Sequence, residues 1–156
     1  MKRWLALQPA AKAASVALAL VPGALGYIAA SRCPMRASQG SAVPFKPPGW
    51  VFGVVWPLLY LALGVAWSMT AFTGSTRAWW RGAPYVACVA ALTAYLPLRA
   101  CAANRRKEAL WAVAAAALAA AYCMEVSEPA ARLLLLPLVA WLMFATLLSA
   151  AEMMTR

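Results

Sequence analysis

The residues with the most chemistry to offer are aromatic, and they are concentrated in one stretch. It reads Pro47-Pro48-Gly49-Trp50-Val51-Phe52-Gly53-Val54-Val55-Trp56-Pro57-Leu58-Leu59-Tyr60. If this stretch is helical, Phe52, Trp56, Leu59, Tyr60 and Trp67 fall within about 100° of one another and make one aromatic face. Ordinary packing or an interfacial belt would explain any one of these rings. A ladder that continues to Trp67 runs deeper than a belt should. Buried indole N–H and phenol O–H groups want partners, which a bundle interior or a ligand can provide.

Other chemistry is scarce. The chain has no histidine and no aspartate, and its only acids are Glu108, Glu125, Glu128 and Glu152. That excludes His-based triads and His-ligated metal sites, and leaves little for general acid/base catalysis. Cys33, Cys88, Cys101 and Cys123 show no C-x-x-C spacing. They read as small packing residues, and they leave the redox compartment undetermined.

The elements that must hold the aromatic face are membrane spans. Of the 156 residues, 65% are hydrophobic and 12% charged, more apolar surface than a soluble domain of this size can hide. The expected fold is all-α, an integral membrane bundle of five transmembrane helices in a single domain. The expected spans are residues 10–31, 49–72, 83–102, 109–124 and 130–152, each reaching or approaching the ~20 residues that cross a bilayer. Continuous apolar runs without alternation favour helices over a barrel. Lys2 and Arg3 could form a signal-peptide n-region, but residues 13–31 are long enough to span and are read as the first helix, bent near Pro22. Pro129 is placed to open the fifth span. The fourth span is the shortest and relies on snorkelling of Lys107 and Glu108 or on a thinned bilayer.

A net charge of +10 suggests nucleic acid, but the cations sit singly between apolar runs, as flanking anchors do, so the expected partner is the lipid bilayer and no nucleic acid. Eight basic residues fall at the end that holds the C-terminus and six at the other. This bias places the C-terminus on the cytoplasmic side. Small residues four apart, Ala87 with Ala91 and Ala90 with Ala94, make the third helix the expected face of a homodimer.

The run P-P-x-W-V-F-x-x-x-W-x-x-L-Y resembles the signature of the tryptophan-rich sensory protein family, the translocator protein (peripheral benzodiazepine receptor) group. The likeness extends to Ala130-Ala131-Arg132-Leu133-Leu134, Pro137, Trp141, Phe144-Ala145-Thr146 and Leu148 in the fifth span, to Ala30-Ser31-Arg32 in the first, and to Pro97 in the third. The resemblance implies a five-helix membrane fold, often a homodimer, with an interior pocket for porphyrins, sterols and synthetic aromatic ligands. Trp56 and Trp141 match the family's pocket tryptophans, with Trp50 and Phe52 beside them. Tyr95 stands where the family usually has tryptophan, and Tyr60 closes the second-span motif. Ser31, Ala145 and Leu148 would face the same cavity.

The departures are numerous. Leu92 and Ser149 replace asparagines, Leu138 a tyrosine, Phe45 a loop tryptophan, and Arg99 and Ala100 a pair of phenylalanines. The leading expectation is binding of a protoporphyrin IX-like tetrapyrrole for transport, sensing or sequestration. Arg32, Arg36 and Lys46 would meet its carboxylates, and no iron or other cofactor is required. Two alternatives follow from the resemblance. One is light- and oxygen-dependent porphyrin breakdown using Trp56 and Trp141. The other is sterol binding, for which Leu92 to Arg99 fits a loose pattern. The resemblance implies the mitochondrial outer membrane for a eukaryotic member and a cell envelope membrane for a bacterial one.

Overall fold

A computed structural model describes residues 9–33, 43–71, 78–101 and 105–154. Among them are five helices: α1 (Pro9–Arg32), α2 (Gly49–Ala71), α3 (Ala78–Cys101), α4 (Arg105–Val126) and α5 (Pro129–Met154). The described residues contain no strand. Pro9 and Pro129 occupy the first position of their helices, where a missing N–H costs nothing. Five further prolines (Pro22, Pro57, Pro84, Pro97 and Pro137) lie inside helices. Such prolines would break a soluble helix, but a membrane bundle tolerates them because neighbouring helices and hydroxyl side chains compensate.

α4 is longer than expected. It begins at Arg105 and runs 22 residues, so Arg106 and Lys107 extend the helix beyond the apolar stretch and supply the missing length. At its far end Arg132 ties off the chain reversal. Its Nε donates to the Ser127 carbonyl at 2.9 Å and its Nη2 to the Glu125 carbonyl at 3.2 Å. These are carbonyls that a helix C-terminus otherwise leaves open.

α2, α5, α4 and α3 pack in sequence around a common core, and α1 leans on α2 and α3 from outside. The core face of α5 is Ala131, Leu135, Leu138, Leu142, Ala145, Ser149 and Glu152, a spacing of three and four that keeps one stripe inward. Large apolar side chains point outward on every helix, among them Leu25, Leu58, Val86, Leu118 and Leu133. A surface like that is stable only in lipid. Four helices meet the length and hydropathy of a membrane span, and α1 adds the shorter apolar segment Val16–Ile28. The protein is an integral, multi-pass helical bundle.

Two buried polar clusters mark the two ends. At one, the Tyr85 hydroxyl meets Ser127 at 2.5 Å and Thr70 at 3.1 Å, with Trp67 stacked on the Tyr85 ring at 6.0 Å. At the other, Glu152 lies between Lys46 and Arg99. A disulfide joins Cys33 to Cys101 at this second end, linking the C-terminal ends of α1 and α3. It corrects the reading of these two cysteines as packing residues, since the helix ends bring together positions 68 residues apart in sequence. Cys88 and Cys123 are free, buried and packed in the core.

Candidate functional site

The aromatic face of α2 meets α5. Phe52, Trp56 and Tyr60 are four residues apart, so they stack along one side of the helix. Trp141 and Phe144 on α5 are three apart and reach across to them. Trp141 is the hub, with ring centroids 5.6 Å from Phe52, 6.5 Å from Trp56 and 5.6 Å from Phe144. Trp56 also stacks on Tyr60 at 5.3 Å. The segment before α2 adds Phe45, whose ring lies 6.5 Å from Phe144. These separations are the edge-to-face and stacked geometries that aromatic quadrupoles prefer.

One atom in this cluster is unsatisfied. The Trp141 Nε1–H is buried and has no hydrogen-bond partner among the described residues. Leaving such a donor unpaired costs about 1–3 kcal/mol. An acceptor brought by a guest, or a water, would recover it.

Tyr95 on α3 connects the ring cluster to the polar end. It interacts with Tyr60 of the ring cluster and with Ser149 and Arg99 of the polar end. Beyond it, Glu152 Oε1 accepts from Lys46 Nζ at 3.2 Å and Oε2 accepts from Arg99 Nη2. Arg106 Nη1 donates to the Glu152 backbone carbonyl at 2.7 Å. Arg99 and Glu152 are 8% and 5% exposed, so this is a desolvated ion pair. Charges that deep in a membrane protein are costly and hold only when paired.

A continuous ring cluster thus lies inside a five-helix membrane bundle, centred on one tryptophan of α2 and one of α5. The TspO/MBR family model matches residues 13–154. The chain belongs to the TspO/MBR family. A comparison with curated proteins gives no match.

For this TspO/MBR member, the expected site residues fall into three groups. Phe52, Trp56, Tyr60 and Trp141 come together in one chain of ring contacts, and Tyr95 lies at its end. Ala145 and Leu148 are buried on the core side of α5. Trp50 and Ser31 stand apart. Trp50 is 71% exposed at the start of α2, and Ser31 is exposed with its hydroxyl bonded back to the Ile28 carbonyl at 2.7 Å. Of the cations expected near a ligand's rim, Lys46 faces Glu152, Arg32 is exposed, and Arg36 lies outside the described residues.

Sequence reasoning missed Phe144 as a ring partner and missed the Arg99–Glu152 pair. A signal for the pair was present, since a lone Arg and a lone Glu within or at the end of apolar spans have strong reason to find each other. No group of three His, Cys, Asp or Glu side chains that could hold a metal occurs among the described residues.

Proposed function

We propose that the protein binds tetrapyrroles of the protoporphyrin IX type, and other flat hydrophobic aromatic molecules, at the ring cluster between α2 and α5. The observation that carries this reading is the Trp141 hub. Three rings surround it, and its indole N–H is buried without an acceptor. A macrocycle has flat π-faces to stack on these rings and ring nitrogens or carbonyls to accept from Nε1. Because the rings touch, a guest has to part them.

Quenching of tryptophan fluorescence by protoporphyrin IX in detergent tests the reading. Saturable quenching is expected, with the affinity lowered about tenfold or more by Trp56→Ala or Trp141→Ala, the scale of one lost aromatic contact plus one hydrogen bond. Unchanged quenching in the double variant would remove the assignment. A sterol probe that competes at equal concentration would favour the sterol alternative for the same site.

We further infer a homodimer through α3. Ala83, Ala87 and Ala90 are exposed on that helix, and small side chains allow a second helix to approach closely in lipid. Crosslinking of a single cysteine placed at position 87 tests it.

A further inference from the structure

The Arg99 guanidinium is more than nine-tenths buried, and only part of it is satisfied. Nη2 donates to Glu152, while Nη1 has no hydrogen-bond partner among the described residues. Lys46 draws on the same carboxylate, so two cations share one anion and the cluster carries excess positive charge. A buried N–H of a charged group left open costs more than a neutral one, and an arginine fork is shaped for a carboxylate.

The location adds to this. Arg99 and Tyr95 are one turn apart on α3 and interact, and Tyr95 also interacts with Tyr60 of the aromatic column, so the guanidinium is linked to that column through one tyrosine. Along α5, Trp141 and Glu152 are eleven residues apart, an axial rise of about 16 Å. That span matches a rigid ring body with an acidic side chain at its edge.

We propose that Arg99 is an anion anchor, taking the carboxylate of an amphiphile whose ring body lies along the α2–α5 aromatic cluster. This rests on the ring cluster being the binding site. The ligand class is thereby narrowed to flat apolar molecules bearing a carboxylate at one edge, with the acid directed toward the Lys46 end of the bundle. Glu152 keeps Arg99 extended and partly neutralised, so the site holds one anion without leaving a bare cation in the empty protein.

The test compares protoporphyrin IX with its dimethyl ester, a neutral molecule of the same ring, by fluorescence quenching in a non-ionic detergent. Wild type should bind the acid at least about tenfold more tightly than the ester, as one charge-assisted hydrogen bond provides. In Arg99→Gln the preference should fall below threefold, with saturable ester binding retained as the report of an intact ring cluster. Should that variant fail to fold, Arg99→Lys keeps a cation for Glu152 but replaces the planar fork, which serves two carboxylates from separate nitrogens, by a single ammonium nitrogen, and the preference should also fall below threefold. Equal affinity of acid and ester in wild type overturns the anchor alone, as does a preference that survives whichever substitution folds. Absence of saturable binding by either molecule overturns the ring-cluster reading and the anchor together.

Discussion

Gly26 of α1 faces Leu96 of α3 so closely that a β-carbon at position 26 would overlap the leucine side chain. Gly23, one turn earlier, is nearly as tight, with its β-carbon position 3.2 Å from the Tyr60 ring. The two glycines thus let the peripheral helix sit directly against Tyr60 of α2 and Leu96 of α3. The contact is specific to helix approach, since neither position needs an unusual backbone conformation.

Substituting these glycines should therefore act on the docking of α1 against α2 and α3. Gly26→Leu should lower stability by about 1–3 kcal/mol through overpacking. Gly23→Ala should cost less, because a ring edge can tilt away and alanine favours the helix. Leu96→Ala in the Gly26→Leu background should recover much of the loss. Thermal unfolding in detergent, read as a double-mutant cycle, checks the coupling. Additive effects would mean that α1 does not dock on Leu96.

The Glu152 cluster predicts two very different alanine effects. Glu152→Ala leaves Arg99 buried without its counter-ion and should cost about 3–5 kcal/mol. Lys46→Ala removes a cation whose side chain is 32% exposed and leaves Glu152 paired with Arg99, so it should cost about 1 kcal/mol or less. Chemical denaturation of both variants at one pH and salt concentration gives the comparison. Equal losses would contradict the burial difference between the two cations.

The fold was largely legible in the sequence, and the polar ends were not. Five apolar runs of spanning length, with Pro129 opening the last, were enough to place the helices. The ring cluster could be read because Phe52, Trp56 and Tyr60 share a helical face. What periodicity cannot show is which helices touch. Arg99 with Glu152, Phe45 with Phe144, and Cys33 with Cys101 are all contacts between separate elements. The tertiary packing of helix ends makes these pairs, and nothing within a single segment announces them. Trp50 failed to join the cluster for a local reason. It sits on the first turn of α2, two residues before Phe52 and so on the opposite side of the helix, where it meets lipid or interface.

The disulfide bears on orientation. Cys33 and Cys101 lie at the end that the count of basic residues places in the cytoplasm. Two cations of that count, Lys46 and Arg99, are engaged with Glu152. Without them the tally is six against six, and the charge bias disappears. Disulfides persist in oxidising compartments, so the bonded end should face away from the cytoplasm. In right-side-out vesicles of the envelope or plasma membrane, a membrane-impermeant phosphine followed by an impermeant maleimide should label Cys33 and Cys101 from outside. Cys88 and Cys123, both fully buried, should stay unlabelled until the protein is unfolded. Labelling only after the membrane is opened would reverse the orientation.

The hydroxyl cluster at the opposite end should respond to substitution in a way that separates structure from binding. The Tyr85 hydroxyl lies within hydrogen-bond distance of both Ser127 and Thr70, which share its single O–H as acceptors. Each of those hydroxyls also donates to a backbone carbonyl of its own or the preceding helix, Ser127 to Cys123 and Thr70 to Ala66. Tyr85→Phe leaves both satisfied, so it should cost only about 0.5–1.5 kcal/mol. Thr70→Val together with Ser127→Ala strips the Tyr85 hydroxyl of both partners while it remains buried, and should cost about 1–3 kcal/mol beyond the sum of the single changes. Porphyrin affinity should be unaffected by any of these, because α2 and α3 carry the hydroxyl cluster at one end and the ring cluster with Arg99 toward the other. Unfolding curves and quenching titrations on the same preparations give both readouts. A variant that weakens porphyrin binding without loss of stability would place the guest at the Tyr85 end of the bundle.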